Sequence, residues 1–527
     1  MSIISEEIKN ELRKYISYQY PVGPANAELI TDVEIAKILF DTENKIYKSF
    51  KDNPTILVGR RGSGKTAYLK SSFFSGNYDI VIDIPTAKVF LQIINTIQEI
   101  SHGIVFPENT AEVWALAFTI LYFKELIISN SKYFNFKITK DYLAKIGLGD
   151  DSLKNTEQFL WKIVEIIGEN SKGKTLGTFI QILRYCDNVS FDDAKKEVES
   201  YVKSKNIRSI LLIDSLDQLP ISSEKFSHAL SGLLKCVGSF NVPNKMYDIR
   251  FCLPAELYHE FVNISSNPLK DFEKHVTLHW HSTELLSILT YRLKIFAELY
   301  DEELAKKIKD LNHNNKDEAN QIFYTYFPKE VENGLGFKED TLAYFMRHTQ
   351  LIPRQLICCI NTVLSCQLKK FGTIAQINNK CIVDGVKKAE DVIRNEIFSA
   401  FKNIYPHCED IYSRCIPELP RKFDHGQLQT VHTRFGIRKG DDLSDFHDFK
   451  TMLMRIGCIG RVFRETERYV EGIFDYSRQN QLLISSNDEM CTHPLFSCKV
   501  TNINTINYPK AIYPYGSNID GEDTRNF

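Results

Sequence analysis

Two kinds of hydrophobic pattern divide this chain. Short apolar-rich runs occur at Thr55-Ile56-Leu57-Val58, at Tyr78 to Ile84, at Ser209-Ile210-Leu211-Leu212-Ile213, at Tyr247 to Pro254 and at His275-Val276-Thr277-Leu278, the third of them unbroken from Ile210 to Ile213. A run of this length bounded by polar residues reads as a strand buried on both faces, the condition of a parallel sheet. Elsewhere apolar residues return every three or four positions, the spacing of one helix face. Val33, Ile35, Ile38, Leu39 and Phe40 do so before the first run, within a helical lead-in over residues 1–50 that ends at Asn53-Pro54. Pro85 stops the second run, and from about 86 to 206 the pattern is helical, with Trp114 and Trp161 in apolar stripes and no further strand predicted. After His279, Ser282 is the expected N-cap of a helix whose Leu285, Leu289, Leu293 and Phe296 share a face. Near the end, Leu443, Phe446, Phe449, Leu453 and Ile456 form another such face, closed by Gly457. Tyr469 to Tyr476 and Gln481 to Ile484 are then expected to pair as a hairpin.

The chemistry is concentrated directly after the first run. Gly59-Arg60-Arg61-Gly62-Ser63-Gly64-Lys65-Thr66 satisfies G-x-x-x-x-G-K-[ST], with Ala67 opening the helix behind it. In this P-loop pattern glycines let successive backbone N–H groups converge on one concavity, and the helix N-terminus adds its positive end. ATP or ADP is the expected ligand. Lys65 would reach the β- and γ-phosphates, and the Thr66 hydroxyl would be a ligand of the bridging Mg²⁺. The third run ends in Asp214, expected beside this loop at the carboxyl edge of the sheet and able to serve the same metal.

Composition narrows the class without naming it. The chain has 527 residues, 43% of them hydrophobic and 25% charged, which suits a globular protein of about three units. A net charge of −2 gives no general attraction to nucleic acid or anionic lipid. Twelve cysteines without a C-x-x-C pair point to free thiols in a reducing cytosol, and Met1 to Glu7 does not read as a signal peptide, so a cytoplasmic location is expected. The most apolar helical stretch, Val113 to Phe123, is too short to cross a bilayer, and no membrane contact is expected.

Asp214-Ser215-Leu216-Asp217-Gln218-Leu219 resembles the D-G-L-D-E-L signature of STAND ATPases, relatives of the AAA+ class. The resemblance, to prokaryotic STAND and Cdc6-like P-loop ATPases including anti-phage defence ATPases, covers about 51–360 through its motifs. It implies an α/β P-loop NTPase core with a parallel sheet at 51–278, a large helical insertion at about 86–206, an α-helical lid at 279–395 and a C-terminal winged-helix-like α+β domain at 396–527. Ser215 stands where most AAA+ enzymes carry a water-orienting Glu, which leaves Asp217 as the candidate; Gln218 replaces the family's Glu, so turnover is expected to be slow. Pro353 and Arg354 match the lid segment in which a Pro packs near adenine and an Arg acts as sensor 2. The strand ending Cys252-Leu253-Pro254 offers Glu256 but no neutral polar sensor 1, and Arg250 is too early on it. The catalytic set implied is thus Lys65, Asp214, Asp217 and Arg354. A conformational switch read by a homo-oligomer or an effector protein is the leading expectation, with a nucleotide-locked scaffold as a blander one. A DNA-associated loader is the alternative, invited by Arg421, Lys422, Arg434, Arg438, Lys439, Arg461, Arg464 and Arg468; against it, residues 396–527 hold 16 basic and 18 acidic side chains. Cys491, His493 and Cys498 fit no standard zinc spacing and read as a packed His-Pro turn.

Overall fold

The computed structural model describes residues 5–30, 32–40, 54–74, 78–84, 107–149, 158–159, 162–163, 165–166, 180–181, 184–186, 189–214, 224–242, 244, 246–334, 336–374, 376–435, 445–477, 482–499, 510–517 and 519. Asp217 and its neighbours at 215–219, Trp161, Arg438, Lys439, Leu443, Gln481 and the start of the expected insertion at 86–106 lie outside them. The chain divides into two compact units: Phe50–Gly59 with Lys65–Thr277, and Met1–Ser49 with Arg60–Gly64 and Leu278–Phe527.

The unit built on Lys65–Thr277 contains, in chain order, strands β1 (Ile56–Gly59), β2 (Ile80–Ile84), the two-residue β3 (Tyr185–Cys186) and β4 (Val189–Ser190), β5 (Ser209–Ile213), β6 (Asp248–Pro254) and β7 (His275–Thr277). Five of them form one sheet in the order β2-β5-β6-β1-β7, with every pairing parallel. The unbroken apolar runs are the reason: β5 is buried at all five positions and β1 at all four, whereas the edge strand β2 is covered on only part of its length. Because Gly59 lies opposite Pro254 and Ile213 opposite Phe251, the ends of β1, β5 and β6 bring Gly59, Asp214 and Pro254 to one edge of the sheet. β6 is interposed between β1 and β5, so the Asp214 strand is not the immediate neighbour of the loop strand.

A 24-residue helix, Pro107–Asn130, carries the described insertion onto this sheet. Trp114, Phe118, Tyr122 and Phe123 are all buried in it, and two of its hydroxyls find partners: Thr119 Oγ1 and Tyr247 Oη lie 2.9 Å apart, Tyr122 Oη and Ser209 Oγ 3.1 Å. Among the described residues no helix is long and apolar enough to cross a membrane. β3 and β4 pair antiparallel in a region expected to be nearly all helical. They deliver Ser190 as the N-cap of the helix Phe191–Lys205, where its hydroxyl accepts from the Asp193 amide, a capping box that tertiary pairing of the preceding residues makes available.

In the other unit the helix Ser282–Tyr300 buries Leu285, Leu289, Leu293 and Phe296 as its pattern requires. Its N-cap is His281 and not Ser282: the His281 amide donates to Glu284 at 2.8 Å, and Ser282 is already the buried first residue. The N-terminal segment is tied in by hydrogen bonds. Asn361 accepts from the Val22 amide and donates to the Gly23 carbonyl, and Arg292 donates to Val22 and Pro24 carbonyls. A small hairpin, β8 (Glu330–Glu332) and β9 (Lys338–Asp340), precedes the helix Thr341–Arg347 and two long helices, Pro353–Phe371 and Asn379–Phe401. The remainder is a mixed sheet of β10 (Lys422–Phe423), β11 (Ile459–Glu465), β12 (Tyr469–Ile473), β13 (Met490–Thr492) and β14 (Ala511–Pro514) in the order β10-β13-β11-β12-β14, with helices Cys408–Cys415, His425–Phe435 and Phe446–Ile456. The expected hairpin is corrected here. β12 turns back on β11, not on residues 482–484, which form no strand; β12's other edge is taken by β14 in parallel. Local alternation marked both segments as extended but carried no information on which edge each would meet.

Candidate nucleotide-binding site

β1 ends at Gly59, and the chain turns back through Arg60–Gly64 before the helix Lys65–Phe74 begins. The turn needs glycine at two points: Gly62 has φ +83° and Gly64 φ +96°, in the region where a Cβ meets the following carbonyl. The Ser63 amide closes it on the Arg60 carbonyl at 3.0 Å. Lys65 is buried with its ammonium folded back onto the Gly59 carbonyl at 2.8 Å, so the cation sits over its own loop. Ala67 is buried in the first turn of the helix. The Ser63 hydroxyl is buried without a hydrogen-bond partner, an orphaned donor that a phosphate oxygen could satisfy.

Thr66 and Asp214, 148 residues apart in sequence, meet at this edge: the Thr66 hydroxyl donates to Asp214 Oδ2 at 2.6 Å. Two hard oxygen donors at that separation fit the ligand chemistry of Mg²⁺, which takes one or two protein oxygens and completes its shell with water and phosphate. At the opposite end of β6, Arg250 donates to the Pro54 carbonyl at 2.6 Å, so its guanidinium serves the start of the sheet and not the phosphate edge. Glu256 is buried just after β6.

The five residues Arg60–Gly64 belong to the unit that contains the helices after Leu278. Trp280, buried, donates its indole N–H to the Ser63 carbonyl at 2.7 Å. The Arg354 amide lies 3.4 Å from the Gly62 carbonyl, and Pro353 is buried as the first residue of its helix, where a missing N–H costs nothing. The preceding Leu351 holds φ +52°, a strained conformation for a branched side chain, supported by its amide's bond to Thr349 Oγ1 at 3.1 Å. The Arg354 guanidinium, expected as sensor 2, is held by Glu396 Oε1 at 2.6 Å and Asn26 Oδ1 at 3.3 Å. Glu396 also stands 4.0 Å from Arg61, whose guanidinium donates to Ser399 Oγ at 3.3 Å. Arg60 reaches Gln350 and the Arg455 carbonyl. The two arginines within the motif therefore spend their side chains on protein groups.

Trp280, Gln350, Glu396 and Asn26 are not legible in the sequence as site residues, since each is brought in by tertiary approach. Among the described residues no group of His, Cys, Asp and Glu could hold a metal by itself. His493 is fully used: Nδ1 accepts from the Leu495 amide at 3.0 Å, which leaves Nε2 to carry its proton toward the Tyr476 hydroxyl at 2.6 Å. Burial pushes the His493 imidazole well below its usual range, keeping it neutral. Several of the basic residues near the C-terminus face carboxylates: Lys422 meets Glu465 and Glu489, Arg434 meets Glu418, and Arg464 meets Glu471.

An ORC-CDC6-like family model matches residues 20–80, the stretch that contains β1 and the glycine-rich loop. That match supports an AAA+ nucleotide-binding reading of the segment. A solved structure described as the Aeropyrum pernix ORC2 protein in ADPNP-ADP complexes is similar at 11% identity, over 90% of this chain and 94% of that chain, with a TM-score of 0.24. No curated protein matches the chain.

Proposed function

We propose that this protein is an ATP-binding, slowly hydrolysing P-loop ATPase of STAND and Cdc6-like character that works as a conformational switch. The observation that carries the reading is the meeting of Thr66 and Asp214 at 2.6 Å behind a loop whose glycines hold positive φ. Lys65, buried on the Gly59 carbonyl, would turn from that acceptor to phosphate oxygens. Thr66 and Asp214 would hold Mg²⁺, which supplies charge neutralisation of the β- and γ-phosphates. Asp217 is the candidate for orienting water, and Ser215 in place of a Glu is the reason for slow turnover. Arg354 would act as sensor 2 by exchanging Glu396 for a phosphate, which ties the lid's first turn to the nucleotide state. The reader of that state is a second copy or an effector protein, in bacterial signalling or anti-phage defence.

A DNA-associated loader is the second reading, favoured by the ORC-CDC6-like match of residues 20–80. Salt-dependent duplex affinity and DNA-stimulated turnover belong to it and not to a pure switch. The experiment on the main reading is titration calorimetry with Mg²⁺ and ATP, alongside turnover. Lys65→Ala should stay folded and lose detectable binding; Asp214→Asn should bind and lose Mg²⁺-dependent hydrolysis. Unchanged ATP affinity in folded Lys65→Ala would end the nucleotide reading.

A further inference from the structure

The C-terminal end of the helix Phe446–Ile456 is capped in a way that leaves two carbonyls for outsiders. Gly457, at φ +84°, lets the Cys458 amide return to the Leu453 carbonyl at 2.9 Å and the Gly457 amide to Met454 at 2.9 Å. That is a Schellman motif, and it leaves the last two carbonyls, Arg455 and Ile456, without an intrahelical donor. Gln350 Nε2 takes Ile456 at 2.8 Å. Arg60, the first variable residue of the phosphate loop, takes Arg455: Nη2 donates to its carbonyl at 2.6 Å while Nη1 donates to Gln350 Oε1 at 2.8 Å. The guanidinium carbon lies 5.4 Å from the Tyr476 ring centroid and 5.6 Å from that of Phe401. A planar cation over two aromatic rings, at the negative end of a helix and with two fixed acceptors, is a site shaped for arginine. Gln350 is itself oriented by Gln355, whose Oε1 accepts from the Gln350 amide at 2.7 Å.

We propose that Arg60 is a positioning residue of the phosphate loop: its side chain fastens the loop to the end of the 446–456 helix, so that phosphate occupancy and the order of that helix end are thermodynamically linked. The inference rests on the nucleotide reading above. A side chain that ignored the phosphates would still pin the backbone from which the Ser63 turn springs, because the Ser63 amide closes on the Arg60 carbonyl. Linkage is reciprocal, so ATP should order the socket, and an intact socket should favour ATP.

The test is hydrogen exchange of the full chain, with no nucleotide and with Mg²⁺ and ATP, for wild type, Arg60→Met and Arg60→Lys, with ATP affinity measured in parallel. Wild type should show ATP-dependent slowing of exchange at 453–458. Arg60→Met should still bind ATP, about tenfold more weakly, and lose that ATP-dependent difference; Arg60→Lys should recover only part of it, lacking the fork. A merely structural role would speed exchange equally with and without ATP. Gln350→Ala, which leaves the loop sequence untouched, should reproduce the loss if Arg60→Met does not fold. Wild-type ATP-dependent protection persisting in an Arg60→Met or Gln350→Ala protein that binds ATP overturns the linkage, whereas a wild type that binds no ATP overturns the nucleotide reading and the linkage with it.

Discussion

Gly62→Ala is the sharpest probe of how the loop is held. A Cβ at Gly62 would stand 2.8 Å from Arg354 Cβ, 3.1 Å from Arg354 Cδ and 3.3 Å from Ile352 Cγ2. Arg354 Cδ can swing away, but Arg354 Cβ is attached to the backbone of the helix Pro353–Phe371 and cannot, so the loop or the helix start must shift. Two costs add. Holding alanine at φ +83° costs roughly 1–2 kcal/mol, and overpacking a fixed contact roughly 1–3 kcal/mol more. The sum, about 2–5 kcal/mol, would appear as faster amide exchange at Leu356 and Ile357, at about tenfold for each 1.4 kcal/mol. Arg354→Gly removes the obstructing Cβ, so in that background Gly62→Ala should cost only the backbone part, about 1–2 kcal/mol. The coupling between the two changes should be about 1–3 kcal/mol, read as a double-mutant cycle in which the loss of the Arg354–Glu396 pair cancels. An equal cost of Gly62→Ala in both backgrounds would show that Arg354 does not press on the loop.

Two further outcomes test the second unit. Glu339 and Arg347 form a buried bidentate pair, at 2.7 and 2.8 Å, joined by Asn333 and by the Tyr513 hydroxyl from β14. Burial works against the charged carboxyl of Glu339, but the Arg347 charge and these donors outweigh it and hold the group below its usual range. Glu339→Ala should therefore destabilise the unit by about 3–5 kcal/mol, because it strands a buried guanidinium, and should expose residues 510–517 to protease; a loss below about 1 kcal/mol in denaturant titration contradicts this. The other outcome concerns pH. His348 Nδ1 and Glu390 Oε1 lie 2.5 Å apart, and burial pushes the Glu390 carboxyl up to about 8 and the His348 imidazole well below 6.5, so the folded pair shares one proton. An unfolded chain holds one proton on the same two groups between their ordinary values of 4.5 and 6.5, so they leave stability flat there. Above 6.5 the unfolded His releases its proton while the folded pair keeps one to about 8; stability should fall by about 2 kcal/mol as pH rises through that window. Arg347 and Arg394 face the pair. Glu390→Gln should flatten the dependence in denaturant titrations at pH 6.5 and 8.5, and an unchanged slope refutes the shared proton.

What this chain announced by itself is what physics makes local. Uninterrupted apolar runs such as Ile210 to Ile213 have no polar face to give to water, so they become parallel strands buried on both sides. Leu285, Leu289, Leu293 and Phe296 repeat at the helical period and lie inward. Gly62, Gly64 and Gly457 stand where positive φ is needed, and the residue type alone indicates it. Partners were decided only by the tertiary structure. Whether β6 would separate β1 from β5, whether β12 would meet β11 or residues 482–484, and whether His281 or Ser282 would cap a helix depend on edges and donors that several segments offer equally. The site shows the same division. The pattern G-x-x-x-x-G-K-T marked the loop, but it did not say which groups its two arginine side chains would meet. Their guanidiniums answer to Gln350, Arg455, Ser399 and Glu396, some 290 to 395 residues away. A side chain's partner is chosen by which acceptor the fold brings within hydrogen-bond or ion-pair reach of it, and nothing in the neighbouring sequence records that.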